Sequence, residues 1–383
     1  LRIILIFLIF LASQIYPGNP LIILSALSSI CAFAITGITM INKIEIIRIF
    51  SRRYVIVLGI IISLTFGLII QYDSLEFSLL NQAFRVIYPW ILLLIFYLQI
   101  KDIKSKNECK KILVYSTYIL YIILIPDVIN IISAAISNPG SMHIIKGAAK
   151  TYKETNTFSF LLIYNYFVRN ELGIAKLSEI ILVLFITIIT FSRSSILFLL
   201  IYMLCKLIIR VSANRNKKVL TRLLSRSMPI ATILIMGLLR IIFKDIINEF
   251  GTILQDVSFI SRLTIFDYID YYFNNFNFLS LHKYLFGFGW FAKDIFSDGI
   301  LGTSGHTLIG MIPELGILYI GTIIFLLYNQ AWKGSLSESF ILSLSLSIFI
   351  PISYIAPILC LILIKDKYNM LSKIKAKEIN SYA

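Results

Sequence analysis

Ile180-Ile181-Leu182-Val183-Leu184-Phe185-Ile186-Thr187-Ile188-Ile189-Thr190-Phe191-Ser192-Arg193-Ser194-Ser195-Ile196-Leu197-Phe198-Leu199-Leu200 is two apolar runs joined by one short polar link. Neither run alternates polar with apolar side chains, as a barrel strand must. With their flanks the runs extend to 176–191 and 194–209, close to the length a helix needs to cross hydrocarbon, where each segment must satisfy its own backbone hydrogen bonds. The pattern recurs along the chain. Of its 383 residues 58% are hydrophobic, against about 45–50% in soluble domains, and the mean hydropathy is +0.87. Further helices are expected over 2–16, 20–41, 54–72, 83–100, 112–136, 156–168, 228–243 and 307–328, and an apolar stretch over 337–364 is broken by Pro351 and Pro357. The expected fold is all-α and integral to a membrane: a polytopic helical bundle of about 12 transmembrane helices. It forms a single transmembrane domain over 1–383, with one large, partly helical loop over 244–306.

The formal net charge is +15. In a soluble chain that excess suggests nucleic acid, but no nucleic-acid-binding motif accompanies it. The basic residues instead gather in short segments between apolar runs. Lys43, Arg48, Arg52 and Arg53 form one cluster; Lys101, Lys104, Lys106, Lys110 and Lys111 the next; Arg210, Arg215, Lys217, Lys218, Arg222 and Arg226 a third; Lys365, Lys367, Lys373, Lys375 and Lys377 a fourth. The positive-inside rule places all four in the cytoplasm. The first three then fall on one face without strain, and the 244–306 loop falls on the other. The fourth does so if 337–364 is a short hairpin turning near Pro351, which puts both termini inside. The run after Arg2 has no small-residue cleavage site and leads through Pro17 and Asn19 into a second run, so it reads as a first helix. Cys31, Cys205 and Cys360 lie in apolar runs and Cys109 in a lysine-rich segment, so no disulfide is expected.

Few residues can carry chemistry. No zinc-protease, Cys/His metal, Walker or dinucleotide pattern occurs, and no metal or other cofactor is expected. Arg193 sits in the link Phe191-Ser192-Arg193-Ser194. Arg262 lies in the loop, and His306 closes it ahead of the next helix; the other histidines are His143 and His282. Each has a plain alternative: an arginine that snorkels to headgroups, an arginine on an amphipathic helix, a histidine at a helix start. Asp127, beside Pro126 in an apolar run, is either a functional intramembrane acid or a hydrated one near a helix end. Ser261–Asn274 is rich in aromatics and suits a helix at a membrane interface. Gly287 and Gly289 in Gly287-Phe288-Gly289-Trp290 read as turn residues.

In this order, these positions resemble the O-antigen polymerase and O-antigen ligase family of bacterial inner membranes. That family has a short Ser-Arg link between two mid-chain helices, then a large periplasmic loop, then a helix opened by His. Here these are Thr190-Phe191-Ser192-Arg193-Ser194, the 244–305 segment, and His306-Thr307-Leu308-Ile309-Gly310 through Pro313-Glu314-Leu315-Gly316-Ile317. Arg262 with Phe266 matches the family's loop arginine and following aromatic, and the glycine-aromatic turn sits where the family has one. Thr307 departs from the pattern, which often has Asn there. The helical layout covers the whole chain; the specific motifs lie only between about 190 and 317.

The resemblance implies a metal-independent glycosyltransferase whose donor is a glycan on undecaprenyl diphosphate. A hydroxyl of the acceptor sugar attacks the anomeric carbon and the lipid diphosphate leaves. A departing diphosphate gathers negative charge, and guanidinium forks bind phosphate oxygens in pairs, which suits Arg193 and Arg262. His306 suits proton abstraction, acceptor orientation or phosphate pairing. Lys146, Lys150 and Lys153, basic against the positive-inside trend, add to the field or are simply solvated. Tyr271, Tyr272, Phe288 and Trp290 stack on sugars or anchor the loop, and Glu314 completes the expected substrate-binding set. The expected activity is polymerase. The alternative is the ligase that passes the finished chain to lipid A–core. A lipid-linked oligosaccharide flippase fits less well, because a transporter is expected to have short loops on both faces and charge lining a central cavity. Expected partners are undecaprenyl-diphosphate-linked oligosaccharides, membrane lipids, and a chain-length regulator and flippase of the same pathway.

Overall fold

The computed structural model describes residues 93, 96, 97, 99–101, 103–138, 155–189, 193–250, 269–278, 281–287, 307–347 and 355–381. The expected spans 2–16, 20–41 and 54–72 lie outside them. The described residues are mostly helical and joined by short turns, with no strand among them. The helices are α1 (Lys106–Ser137), α2 (Thr155–Glu171), α3 (Leu177–Ile189), α4 (Arg193–Val211), α5 (Asn214–Phe250), α6 (Leu281–Phe286), α7 (Ile312–Trp332), α8 (Leu336–Ser347) and α9 (Ile355–Ser381). Residues 269–274 are also helical.

The starts and stops follow local chemistry. Ser105 caps α1 by accepting from the Asn107 N–H at 3.2 Å, with Glu108 in the first turn, a placement that favours both the cap and the helix dipole. α2 ends at Gly173, whose φ of 67° is the left-handed conformation that closes helices, and the Ile174 N–H returns to the Arg169 carbonyl. Gly334, at φ 95°, ends α7 in the same way. Pro357 lies in the first turn of α9, where a missing N–H costs no helical bond. Two helices run further than their apolar cores. α5 begins at Asn214, taking in the basic segment before the expected 228–243 span, and α9 carries the lysine-rich tail to Ser381. Lys and Arg are good helix formers, so charge ends the apolar run without ending the helix.

The chain falls into two compact units. In the first, α1 packs on α3 and α9, and α2 packs on α3 and α9. Residues 159–169 of α2 are buried on every side, and the Tyr164 hydroxyl donates to the Ile358 carbonyl of α9 at 3.4 Å. In the second, α8 packs on α5 and α7, and α6 packs on α7. α8 is buried along its whole length, although it carries Ser337, Glu338, Ser339, Ser343, Ser345 and Ser347. Its later serines donate to carbonyls one turn back, Ser343 to Ser339 and Ser345 to Ile341. Phe340 meets Phe198 and Tyr202 of α4 edge-on, at 6.4 and 5.3 Å.

The surrounding helices reverse this pattern. On α1, Ile122, Ile125, Ile129, Ile132 and Ile136 recur every three or four residues, the spacing of a buried seam, and all are exposed. On α4, Leu197, Leu200, Leu204, Leu207, Ile208 and Val211 do the same. α3 and α5 also carry exposed apolar positions, among them Phe185, Ile188, Leu234 and Leu238. Two helices among the described residues are long and apolar enough to cross a membrane, Asn216–Leu239 and Ile312–Trp332; Leu124–Ser137, Ser178–Ile189 and Leu336–Ser347 are apolar but shorter.

Candidate functional site

The best-defined part of the expected site is a backbone crossing in the second unit. Gly287 has φ 95° and Gly316 φ 83°, both in the region an L side chain avoids. Gly316 breaks α7 after its first turn (ψ 158°). At this break the helix backbone meets the turn that follows α6. A Cβ on Gly287 would lie 2.8 Å from the carbonyl carbons of Glu314 and Leu315, and one on Gly316 would lie 2.6 Å from the Gly287 nitrogen. Both clashes are with backbone, which has no rotamer by which to move aside. Two motifs 29 residues apart in sequence, the glycine-aromatic turn and Pro313-Glu314-Leu315-Gly316-Ile317, thus meet with no side chain between them.

The segment leading into α7 is held at two further points. Thr307 is buried, and its hydroxyl accepts from the Gly310 N–H at 2.9 Å. This side-chain-to-backbone bond closes a local turn ahead of the helix, a bond that asparagine also makes. The Leu308 N–H donates to the Ser345 carbonyl at the end of α8 at 3.1 Å. Because of this turn α7 begins at Ile312 rather than 307. Glu314 lies in the first turn, only 6% exposed, where the helix dipole favours a carboxylate.

The loop residues before Gly287 form an aromatic stack. Tyr272 and Tyr284 lie with ring centroids 4.6 Å apart, Phe276 4.9 Å from Tyr284, and Phe273 5.2 Å from Tyr272. The Tyr284 hydroxyl donates to the Asn275 carbonyl at 2.7 Å, and burial raises its pKa above the ordinary tyrosine value. Tyr272 is fully buried in this stack, and Tyr271 beside it is 51% exposed.

Arg193 is the first residue of α4. Its link is tied down by Ser195, which is buried and shares a 3.0 Å hydrogen bond with Ser159 of α2. The side chain of Arg193, together with Arg262, His306, Lys146, Lys150, Lys153 and Trp290, lies outside the described residues.

Several polar features went unnoticed in the sequence. In the first unit Arg169 of α2 meets Glu179 of α3 at 2.5 Å, both buried, and Glu179 also accepts from the Lys176 N–H at 3.4 Å. The guanidinium approaches off the hydrogen-bonding direction, so the contact is ionic. Lys365 of α9 pairs with Glu171. Asp127, singled out in the sequence, is buried inside α1, 1% exposed. The signal for the Arg169–Glu179 pair was available, because opposite charges flank the Gly173 turn; that for Lys365–Glu171 was not, because 194 residues separate the partners.

The basic clusters also meet. Lys367 donates to the Lys101 carbonyl at 2.7 Å, and Lys106 lies 4.5 Å over the Tyr368 ring. Nearby Cys109 is buried, and desolvation pushes its pKa up to about 11, so the thiol stays protonated and unreactive at neutral pH. In the second unit Arg226 donates to the Trp332 carbonyl at 3.1 Å and stands 4.0 Å over its ring. Comparisons with protein-family models, with characterised proteins and with solved structures find no match for this chain.

Proposed function

We propose that the protein is a polytopic inner-membrane glycosyltransferase, an O-antigen polymerase, that extends a surface polysaccharide at the periplasmic face. The membrane part of this reading rests on the inversion of polarity. Buried helices carry the polar residues, while regular apolar stripes face outward. Contiguous apolar faces of this size would aggregate in water and are solvated by lipid acyl chains. Of the two span-length helices, Asn216–Leu239 lies largely on the surface and Ile312–Trp332 is nearly half buried. About 12 crossings accommodate the chain, with both termini in the cytoplasm. Within the first unit the lysine-rich tail lies against the 101–106 segment, and within the second Arg226 lies against the Trp332 end of α7, and each pairing agrees with the positive-inside placement of its own cluster.

The catalytic part rests chiefly on the crossing of Gly287 and Gly316. It joins two of the motifs that carry the family resemblance and anchors the segment preceded by His306. In this mechanism Arg193 and Arg262 bind the diphosphate of the undecaprenyl-linked donor and stabilise the charge that develops as it leaves. His306 takes the proton from the attacking hydroxyl of the acceptor sugar. Glu314, Tyr271, Trp290 and the Lys146, Lys150 and Lys153 segment line the substrate path, and no metal takes part. A flippase and a chain-length regulator supply substrate and set product length. The test is a lipopolysaccharide gel of a strain lacking the gene. Collapse of the ladder to core plus one repeat supports the polymerase. Loss of all core-attached chains, with polymer retained on the carrier, makes the protein a ligase instead.

A further inference from the structure

We infer that the aromatic segment 269–278 docks on the outer leaflet of the bilayer, at the boundary between headgroups and acyl chains. The argument rests on the membrane reading above and takes its depth from the glycine crossing. The Trp332 end of α7 lies beside Arg226 and the Arg222 backbone that packs near Gly334, which marks it as the cytoplasmic end. Ile312 therefore starts the helix at the outer face. Gly316 is four residues further in, about 6 Å at 1.5 Å per residue. The turn at Gly287 touches Gly316 through backbone alone, so α6 is pinned at that shallow depth. Tyr284 of α6 in turn holds residues 271–276 through the Tyr272 and Phe276 rings and the Asn275 carbonyl. The segment cannot stand far out in the periplasm without breaking that chain of contacts.

What it presents at this level is aromatic. Phe278 is 77% exposed, and Phe273, Phe276 and Tyr271 are each exposed by more than two-fifths, all within eight residues. Lys283 and His282, on α6, add polar groups of the kind headgroups accept. Aromatic rings beside polar partners favour the headgroup boundary over both bulk water and the hydrocarbon centre. A loop docked there would meet a lipid-diphosphate substrate where its sugar and lipid join.

The experiment uses the full chain in lipid nanodiscs, with all native cysteines replaced and single cysteines carrying an environment-sensitive fluorophore. Labels go at Phe278, at Leu234 as a lipid-facing reference and at Asn216 as an aqueous one. The expected result at Phe278 is blue-shifted emission, loss of intensity with a nitroxide lipid labelled near the headgroup, and little loss with aqueous iodide. If Phe278→Cys does not fold, Phe276→Cys carries the same test. Iodide quenching at Phe278 equal to that at Asn216, with Leu234 still quenched by lipid, overturns the docking and leaves the membrane reading standing. Aqueous signals at both Phe278 and Leu234 overturn the two together. A blue shift that appears only with two copies per disc shows that a second chain covers the segment, and also overturns the proposal. Chain extension does not enter the readout, so failure of the polymerase reading leaves this result intact.

Discussion

Arg193 illustrates how a single residue separates a structural role from a chemical one. Arg193 is the first residue of α4, and the proposed function gives it a phosphate-binding role that a planar guanidinium fork suits. Arg193→Ala and Arg262→Ala are each expected to abolish chain extension while the protein still accumulates. Loss of one charge-assisted contact to the leaving group is worth about 3–4 kcal/mol, or roughly 10²–10³ in rate. Lysine at either position should rescue poorly, because a point charge does not reproduce the guanidinium fork. His306→Ala should lower the rate by about 10²–10⁴ if the imidazole is the base, and His282→Ala and His143→Ala should be nearly silent. Ladders of normal length from either arginine variant would reduce that arginine to a headgroup anchor. The glycines give a second comparison. Alanine at Gly287 or Gly316 meets backbone and a positive φ, whose strain alone costs about 1–2 kcal/mol. Alanine at Gly321 of α7, where nothing lies within 4 Å, should leave stability unchanged or raise it by about 1 kcal/mol. Thermal unfolding in detergent reads all three; equal midpoints would mean that the crossing does not exist.

Among elements, helix existence was the most legible feature and helix extent the least. Apolar length located α1, α2, α3, α4, α5 and α7, because in each a long, largely apolar stretch with at most two charged residues reads directly as a helix core. It could not show that α5 starts at Asn214 or that α9 runs to Ser381, since basic residues continue a helix as readily as they end its apolar part. Nor could it show which helices lie at the centre. α2 and α8 are buried despite Arg169, Asn165 and a row of serines, a pattern a soluble-protein reading would place on the surface. The turn residues at Gly287 and Gly316 were visible, but their contact depends on tertiary packing that no local pattern encodes. Topology follows from the same elements. Cysteines introduced singly near Ser297 should react with an impermeant thiol reagent in cells with a permeable outer membrane, and those near Asn216 and Ser372 should not. Labelling at Ser372 would place the end of α9 outside and remove the hairpin around Pro351.

For the whole molecule, one arrangement accounts for the apolar exterior, the basic clusters and the single large loop. In the proposed arrangement lipid would solvate the outward stripes, the cytoplasm would hold the lysines and arginines, and the 244–306 segment would lie at the opposite face. The proposed metal-independent chemistry would leave the guanidinium groups to carry the leaving-group charge. The most direct test uses the purified protein in nanodiscs with a lipid-diphosphate-linked repeat unit as its only sugar substrate and excess EDTA present, comparing wild type with Arg262→Ala by product length. The account predicts chains of several repeats from wild type, unchanged by EDTA, and none from the variant. Activity that disappears with EDTA and returns with Mg²⁺ or Mn²⁺, or equal extension by Arg262→Ala, would contradict it.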